Sequence, residues 1–100
     1  MELKENIQLS SNELCKRFGI KRLGLFGSVA RGDYTTDSDI DFFAEFDSPT
    51  PETMPDRYLG FIREASSRFG RDIQLLTPRM LRNPHLKRSI EKDLTIIHGQ

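Results

Sequence analysis

Two aspartates set one residue apart in an apolar run, Asp39-Ile40-Asp41-Phe42-Phe43, constrain this chain more than any other feature. Successive side chains of a strand point to opposite faces. Asp39 and Asp41 are therefore expected on one face, while Ile40 and Phe42 enter the core. Neighbouring like charges held there repel and push carboxyl pKa values up, a cost without structural return unless a cation sits between them. The stretch around them, Gly24 to Phe46, organises the rest of the chain. An apolar run, Leu23-Gly24-Leu25-Phe26, leads into a turn at Gly27-Ser28. A small-residue segment with Arg31 and Gly32 follows, and the acidic strand ends the unit.

Charge sharpens that reading. Formal net charge is +0, yet eight of the fifteen acids fall between Asp33 and Asp56, where there is no lysine or arginine. The remaining seven acids face all fifteen bases. Such asymmetry predicts an acidic cleft that attracts cations, ringed by bases able to meet phosphates. The outer acids, Glu45 to Asp56, read equally well as a solvated face, and Asp33 and Asp37 as solvated loop acids.

One hundred residues, 36% hydrophobic and 30% charged, suit one small soluble domain and not a disordered chain. No apolar run approaches the roughly 20 residues of a membrane span. Met1-Glu2-Leu3-Lys4-Glu5 lacks the pattern of a secretory signal. Cys15 is alone, which excludes an intrachain disulfide and points to a reducing, cytoplasmic location. It reads as a half-buried helix thiol.

In chain order, Ser10-Ser11-Asn12-Glu13 has the form of a capping box and predicts a short helix starting there and closing at Gly19. Leu14 and Phe18 form its buried side. Ile20 to Phe26 reads as a strand, Ser28 to about Arg31 as a helical turn, and Ile40 to Phe46 as a second strand. Asp47 to Met54, with Pro49 and Pro51, is the expected mobile loop. Pro55 fits the first turn of a helix. Its core stripe would be Tyr58, Leu59, Phe61, Ile62, Ala65 and Phe69, with Gly70 as the stop. Asp72 to Leu76 reads as a third strand. Thr77-Pro78 and Asn83-Pro84 each pair an N-cap residue with proline, opening two short helical pieces. Leu94 to Ile97 reads as a final strand. The alternation predicts a small α/β (α+β) domain.

Several competing motifs fail. No Gly-Lys-Ser/Thr exists for a Walker loop, and Gly27 to Gly32 lacks dinucleotide spacing. Asp37-Ser38-Asp39-Ile40-Asp41 imitates a calcium loop, but Phe42 and Ser48 stand where that loop needs glycine and glutamate. His85 and His98 are isolated, which excludes an ordinary zinc site.

Taken together, Gly27-Ser28-Val29-Ala30-Arg31-Gly32 and Ser38-Asp39-Ile40-Asp41 closely resemble the signature of the minimal nucleotidyltransferases in the DNA polymerase beta superfamily. The resemblance covers most of the chain, and Asp72 matches the family's third carboxylate on a later strand. It implies one minimal nucleotidyltransferase domain over 1–100, with a small mixed β-sheet flanked by helices in the polymerase beta palm-like fold. Asp39, Asp41 and Asp72 would be catalytic and would hold two Mg²⁺ ions, roughly 3.5–4 Å apart in such sites. ATP is the implied substrate. Gly27 would let the backbone approach its phosphates, and Ser28 would donate a hydroxyl. Arg31 would bind phosphate or tie the turn to the acidic strand by an ion pair. Ser38 would join the nucleotide site or cap the strand entry through backbone bonds.

The chain is too short for the extra domains of template-directed polymerases, and its bases, Arg79, Arg82, Lys87 and Arg88, lack an aromatic stacking platform. Direct nucleic-acid or membrane binding is not expected. The resemblance implies the antitoxin type, which pairs with a HEPN-domain ribonuclease toxin and moves AMP from ATP to its tyrosine hydroxyls. The apolar and basic C-terminal half would be the partner surface. Two other readings remain open from the residues: an antitoxin that neutralises by binding alone, and transfer to a small-molecule acceptor.

Overall fold

A computed structural model describes residues 2–99. Its first helix, α1, spans Leu3–Phe18, so it begins well before Ser10. The apparent capping box lies mid-helix because Leu3, Ile7, Ser11, Leu14 and Phe18 form one continuous stripe at helical spacing. Ser11 can sit buried in that stripe because its hydroxyl donates to the Gln8 carbonyl at 2.7 Å. Gly19, in the left-handed region at φ 69, ends the helix as expected.

Strand β1 (Ile20–Phe26), helical turn α2 (Gly27–Arg31) and strand β2 (Ile40–Phe46) follow. Helix α3 (Met54–Phe69) carries proline in its first turn. Strand β3 is Ile73–Leu76, which leaves Asp72 just outside the strand. A 3-10 turn at Pro78–Met80, helix α4 (Pro84–Asp93) and strand β4 (Thr95–His98) complete the order. Asn83 caps α4 by accepting from the His85 amide at 2.8 Å, whereas Thr77 makes no side-chain cap. Strand β4 sits one residue later than its sequence pattern indicated.

The sheet has the order β3-β2-β1-β4. β1 runs antiparallel to β2 and β4, while β2 and β3 are parallel, as a helical crossover such as α3 permits. Strand alternation divides the sheet into two unequal faces. Leu23, Leu25, Ile40, Phe42, Ala44 and Leu75 join Ile7, Leu14, Phe61 and Ala65 from α1 and α3 in the main core. Phe61 anchors it, edge-on to Phe42 at 5.1 Å and to Phe18 at 6.1 Å. The opposite face holds a smaller cluster, Phe26, Phe43 and Ile90, covered by α4. Leu59 departs from the expected α3 stripe and is 54% exposed, because one residue beyond Tyr58 rotates it about 100° off the buried side.

Candidate active site

The site forms where β1 ends. Phe26 is the register partner of Asp41, so the Asp41 side chain rises beside the next residue, Gly27. Gly27 has φ 72, a conformation L side chains rarely adopt. A Cβ at that position would also collide with the Asp41 carboxylate oxygen Oδ2. Both constraints demand glycine, and together they bring bare backbone against a carboxylate. Helix α2 starts at this point, and the first amides of a helix lack intrahelical acceptors. Ser28 stands half-buried in that first turn. Its carbonyl accepts from the amides of Gly32 and Asp33 at 2.9 and 3.1 Å, closing the turn behind it.

Asp41 is half-buried, and its pKa is pushed up, first by burial and then by the charge of Asp39, against a weaker opposing pull from Arg31. The strand ladder fixes Asp41 between Phe26 and Gln74. Asp39 and Asp72 are exposed and lie one residue outside β2 and β3. The Ile40 amide donates to the Asp72 carbonyl at 3.0 Å, holding the two strand entries together. Asp39 and Asp72 also line one open cavity of about 400 Å³, with Ser38 and Arg71. Asp39 thus stands beside each of the other two carboxylates. Among the described residues, no three acidic, histidine or cysteine side chains close into a metal cage.

Arg31 makes the ion pair that its sequence position suggested, but not with the acidic strand. Its Nε donates to Asp33 at 3.2 Å and its Nη1 to Asp93, the last residue of α4, at 2.8 Å. Sequence reasoning missed Asp93, since a partner 62 residues away leaves no local pattern. Ser38 accepts from the Thr35 amide at 2.9 Å and so shapes the loop before Asp39. Arg71, also missed, donates to the carbonyls of Thr35 at 2.7 Å and Ser38 at 2.9 Å. Cys15 is buried, its thiol pushed up to about 12 by burial, and has no place in the chemistry.

A larger cavity, about 630 Å³, lies at the opposite end of β2 among Phe46, Pro49, Pro51, Met54 and Pro78. It is mostly apolar and lacks paired carboxylates, so its size does not make it the chemical centre. Among the described residues, the Gly27–Asp41 end combines hard oxygen ligands with close backbone approach.

The nucleotidyltransferase domain model matches residues 7–97. The chain belongs to this nucleotidyltransferase family. A Methanocaldococcus jannaschii relative named "Putative protein adenylyltransferase MJ1379" is 35% identical over 96 residues, covering 96% of this chain and 95% of that protein. A solved "putative minimal nucleotidyltransferase" superposes with TM-score 0.76 at 25% identity, covering 95% of each chain. A complex of tri-AMPylated Shewanella oneidensis HEPN toxin with MNT antitoxin contains a chain with the same fold. It matches at TM-score 0.67 and 16% identity, over 99% of this chain and 74% of that one. The four-stranded mixed sheet flanked by helices is therefore the minimal nucleotidyltransferase fold, as its signature implied. Among the described residues, no helix of this nucleotidyltransferase is long and apolar enough to cross a membrane.

The donor set fits Mg²⁺. Asp39 and Asp41 offer only hard oxygens, and Asp41 carries a charge–burial cost that Arg31 offsets only in part and that a cation would relieve. Mg²⁺ keeps several waters and takes further ligands from substrate phosphates, so a closed protein cage is not required.

Proposed function

We propose that this protein transfers AMP from ATP to a protein hydroxyl, a tyrosine of a cognate HEPN-type ribonuclease toxin, and thereby acts as its antitoxin. The single observation that carries the reading is the Asp41 carboxylate held against the bare Cα of Gly27 at the start of α2. Phosphate oxygens arriving at that turn meet backbone N–H groups and the Ser28 hydroxyl without side-chain obstruction. Arg31 uses Nε and Nη1 on Asp33 and Asp93, which leaves Nη2 hydrogens for a phosphate. Ser38 contributes by ordering the loop beneath the nucleotide.

Asp39 and Asp41 would hold two Mg²⁺ ions, with Asp72 completing the shell on the acceptor side. Bound there, the metal supplies charge neutralisation for the attacking and leaving oxygens. The acceptor oxygen attacks the α-phosphorus, the α–β phosphoanhydride bond breaks, and pyrophosphate leaves. Asp72, exposed and next to Asp39, takes up the acceptor's proton. Residues 1–100 act as a single domain in this reading, in the cytoplasm. The relative named for protein adenylyltransfer supports it at the level of sequence. The AMPylated complex supports it by fold alone.

The decisive experiment incubates the protein with ATP, Mg²⁺ and a candidate HEPN-type toxin, followed by mass spectrometry of that partner. The expected result is adenylate on tyrosine with the native protein and none with Asp39→Asn. Protection from the toxin by Asp39→Asn at native level would instead establish neutralisation by occlusion.

A further inference from the structure

Asp41 is fixed by the ladder, but Asp39 lies outside β2 and needs another restraint. The chain supplies one from the segment just before β3. The Arg71 guanidinium reaches back across the strand entry and donates Nη1 to both Thr35 O and Ser38 O, at 2.7 and 2.9 Å. It also stacks 5.2 Å from the centre of the Tyr34 ring. Ser38 Oγ closes the same loop onto the Thr35 amide. The backbone just before Asp39 is thus pinned by the residue just before Asp72. The Ile40 amide, bonded to Asp72 O, pins the residue just after it. These two ties bracket the Asp39–Asp72 pair.

We propose that Arg71 is a positioning residue that sets Asp39 for divalent-cation binding by clamping the 34–38 loop. The inference rests on the metal-dependent transfer reading and deepens it. Among the described residues Arg71 forms no ion pair with a carboxylate; its hydrogen bonds go to the two carbonyls. Both carbonyls accept from the one Nη1, and the planar guanidinium that carries it also lies over the Tyr34 ring, a planar geometry that lysine does not reproduce. A merely electrostatic role has the opposite sign: removing a cation beside three acids would tighten cation binding, whereas losing the clamp weakens it. Arg57 provides an internal control. It makes a similar clamp at the far end of β2, on the carbonyls of Phe18, Gly19 and Asp47, remote from the carboxylates.

The test is titration of Mn²⁺ into the protein by calorimetry, with amide exchange of residues 35–39 as a second readout. Arg71→Ala is expected to weaken Mn²⁺ binding roughly 10-fold or more, the scale for lost outer-shell support, and to speed exchange in the loop. Arg71→Lys is expected to recover only part of the affinity. It also serves if the alanine variant fails to fold. Arg57→Ala is expected to lower stability with Mn²⁺ affinity retained. In an Asp39→Asn background, Arg71→Ala should have no further effect on binding, since the two act through one ligand. Equal or tighter binding by Arg71→Ala, or full rescue by lysine, overturns the proposal while leaving the transfer reading intact. Failure of the native protein to bind Mn²⁺ overturns both.

Discussion

The two faces of the sheet are built to different specifications. Beneath α1 and α3, side chains from both helices and every strand close over one another, with Phe42, Phe61, Leu23, Leu25 and Ile40 at 0% exposure. On the other face the cover comes from α4 with Leu81 and Leu94 at its two ends, and the buried cluster among the described residues is Phe26, Phe43 and Ile90. Asp41 stands on this second face, two residues from Phe43, where the cover ends. A carboxylate on the first face would be a buried charge without water or partner, costing several kcal/mol. On the second it keeps solvent access while burial still raises its energy. Fold stability and chemistry are thus separated across a sheet one backbone thick.

The largest effect expected from breaking this division is on transfer. Asp39→Asn and Asp41→Asn should each lower AMP transfer by about 10²–10³-fold or more, the scale for lost transition-state charge stabilisation. Circular dichroism should show the fold unchanged. An Asp41→Asn protein that unfolds would place the residue in the scaffold and dissolve the distinction between faces.

The next effect belongs to the dry face. Phe61→Ala should cost roughly 3–5 kcal/mol, because its fully buried ring bridges Phe18 and Phe42 and its loss leaves a cavity. Phe43→Ala, in the smaller cluster, should fall at or below the lower end of that range, since α4 can settle into the gap. Urea unfolding of the two variants compares them directly. A larger loss at Phe43 would mean that α4 holds the fold and the main core does not.

How much of this was visible in the sequence follows the same division. Short-range patterns spelled out β1 and β2 to the residue, the Gly19 and Gly70 helix stops, and the Gly27 turn, because each depends on alternation or on one backbone conformation. The start of α1 lies before Ser10 because Ser-x-x-Glu is only a local hydrogen-bonding option. A hydrophobic stripe from Leu3 to Phe18 overrode it through packing. Leu59 reads as inward from the sequence because an apolar residue one position off a stripe cannot be told from a member by composition, whereas it is exposed in the fold. The Asp39–Asp41 pair was legible as a spacing. Its neighbours Arg71 and Asp93 were not, because both act across loops through tertiary contacts. The parallel pairing of β2 and β3, which brings Asp72 beside Asp39, also depends on topology and not on pattern.

A smaller effect tests the contact between turn and carboxylate. Gly27→Ala should cost about 1–2 kcal/mol from the left-handed backbone alone, with a further penalty as Asp41 moves away from the new methyl group. ATP with Mg²⁺ is expected to raise the native melting temperature, and differential scanning fluorimetry should show that this rise is lost in the variant. A variant that keeps the full nucleotide-induced rise would show that phosphate does not approach this backbone.

The smallest expected effect is pH-dependent and comes from Asp41 alone. Burial and the Asp39 charge raise its folded-state pKa above the unfolded value. For such an acid the folded state binds the proton more tightly, so its contribution favours folding below the unfolded pKa, near 3.9 for aspartate. That contribution is lost as pH rises through the folded pKa, leaving an unrelieved repulsion at neutrality. Asp41→Asn removes the repulsion, so the apo variant should be slightly more stable than the native protein at pH 7. The gain should shrink as acid protonates Asp41 in the native protein. Cys15, on the dry side and pushed up to about 12, adds no titration across this window. Parallel urea melts at pH 7 and near pH 4 measure the difference of differences. An Asp41→Asn gain of equal size at both pH values would trace the effect to packing instead of charge.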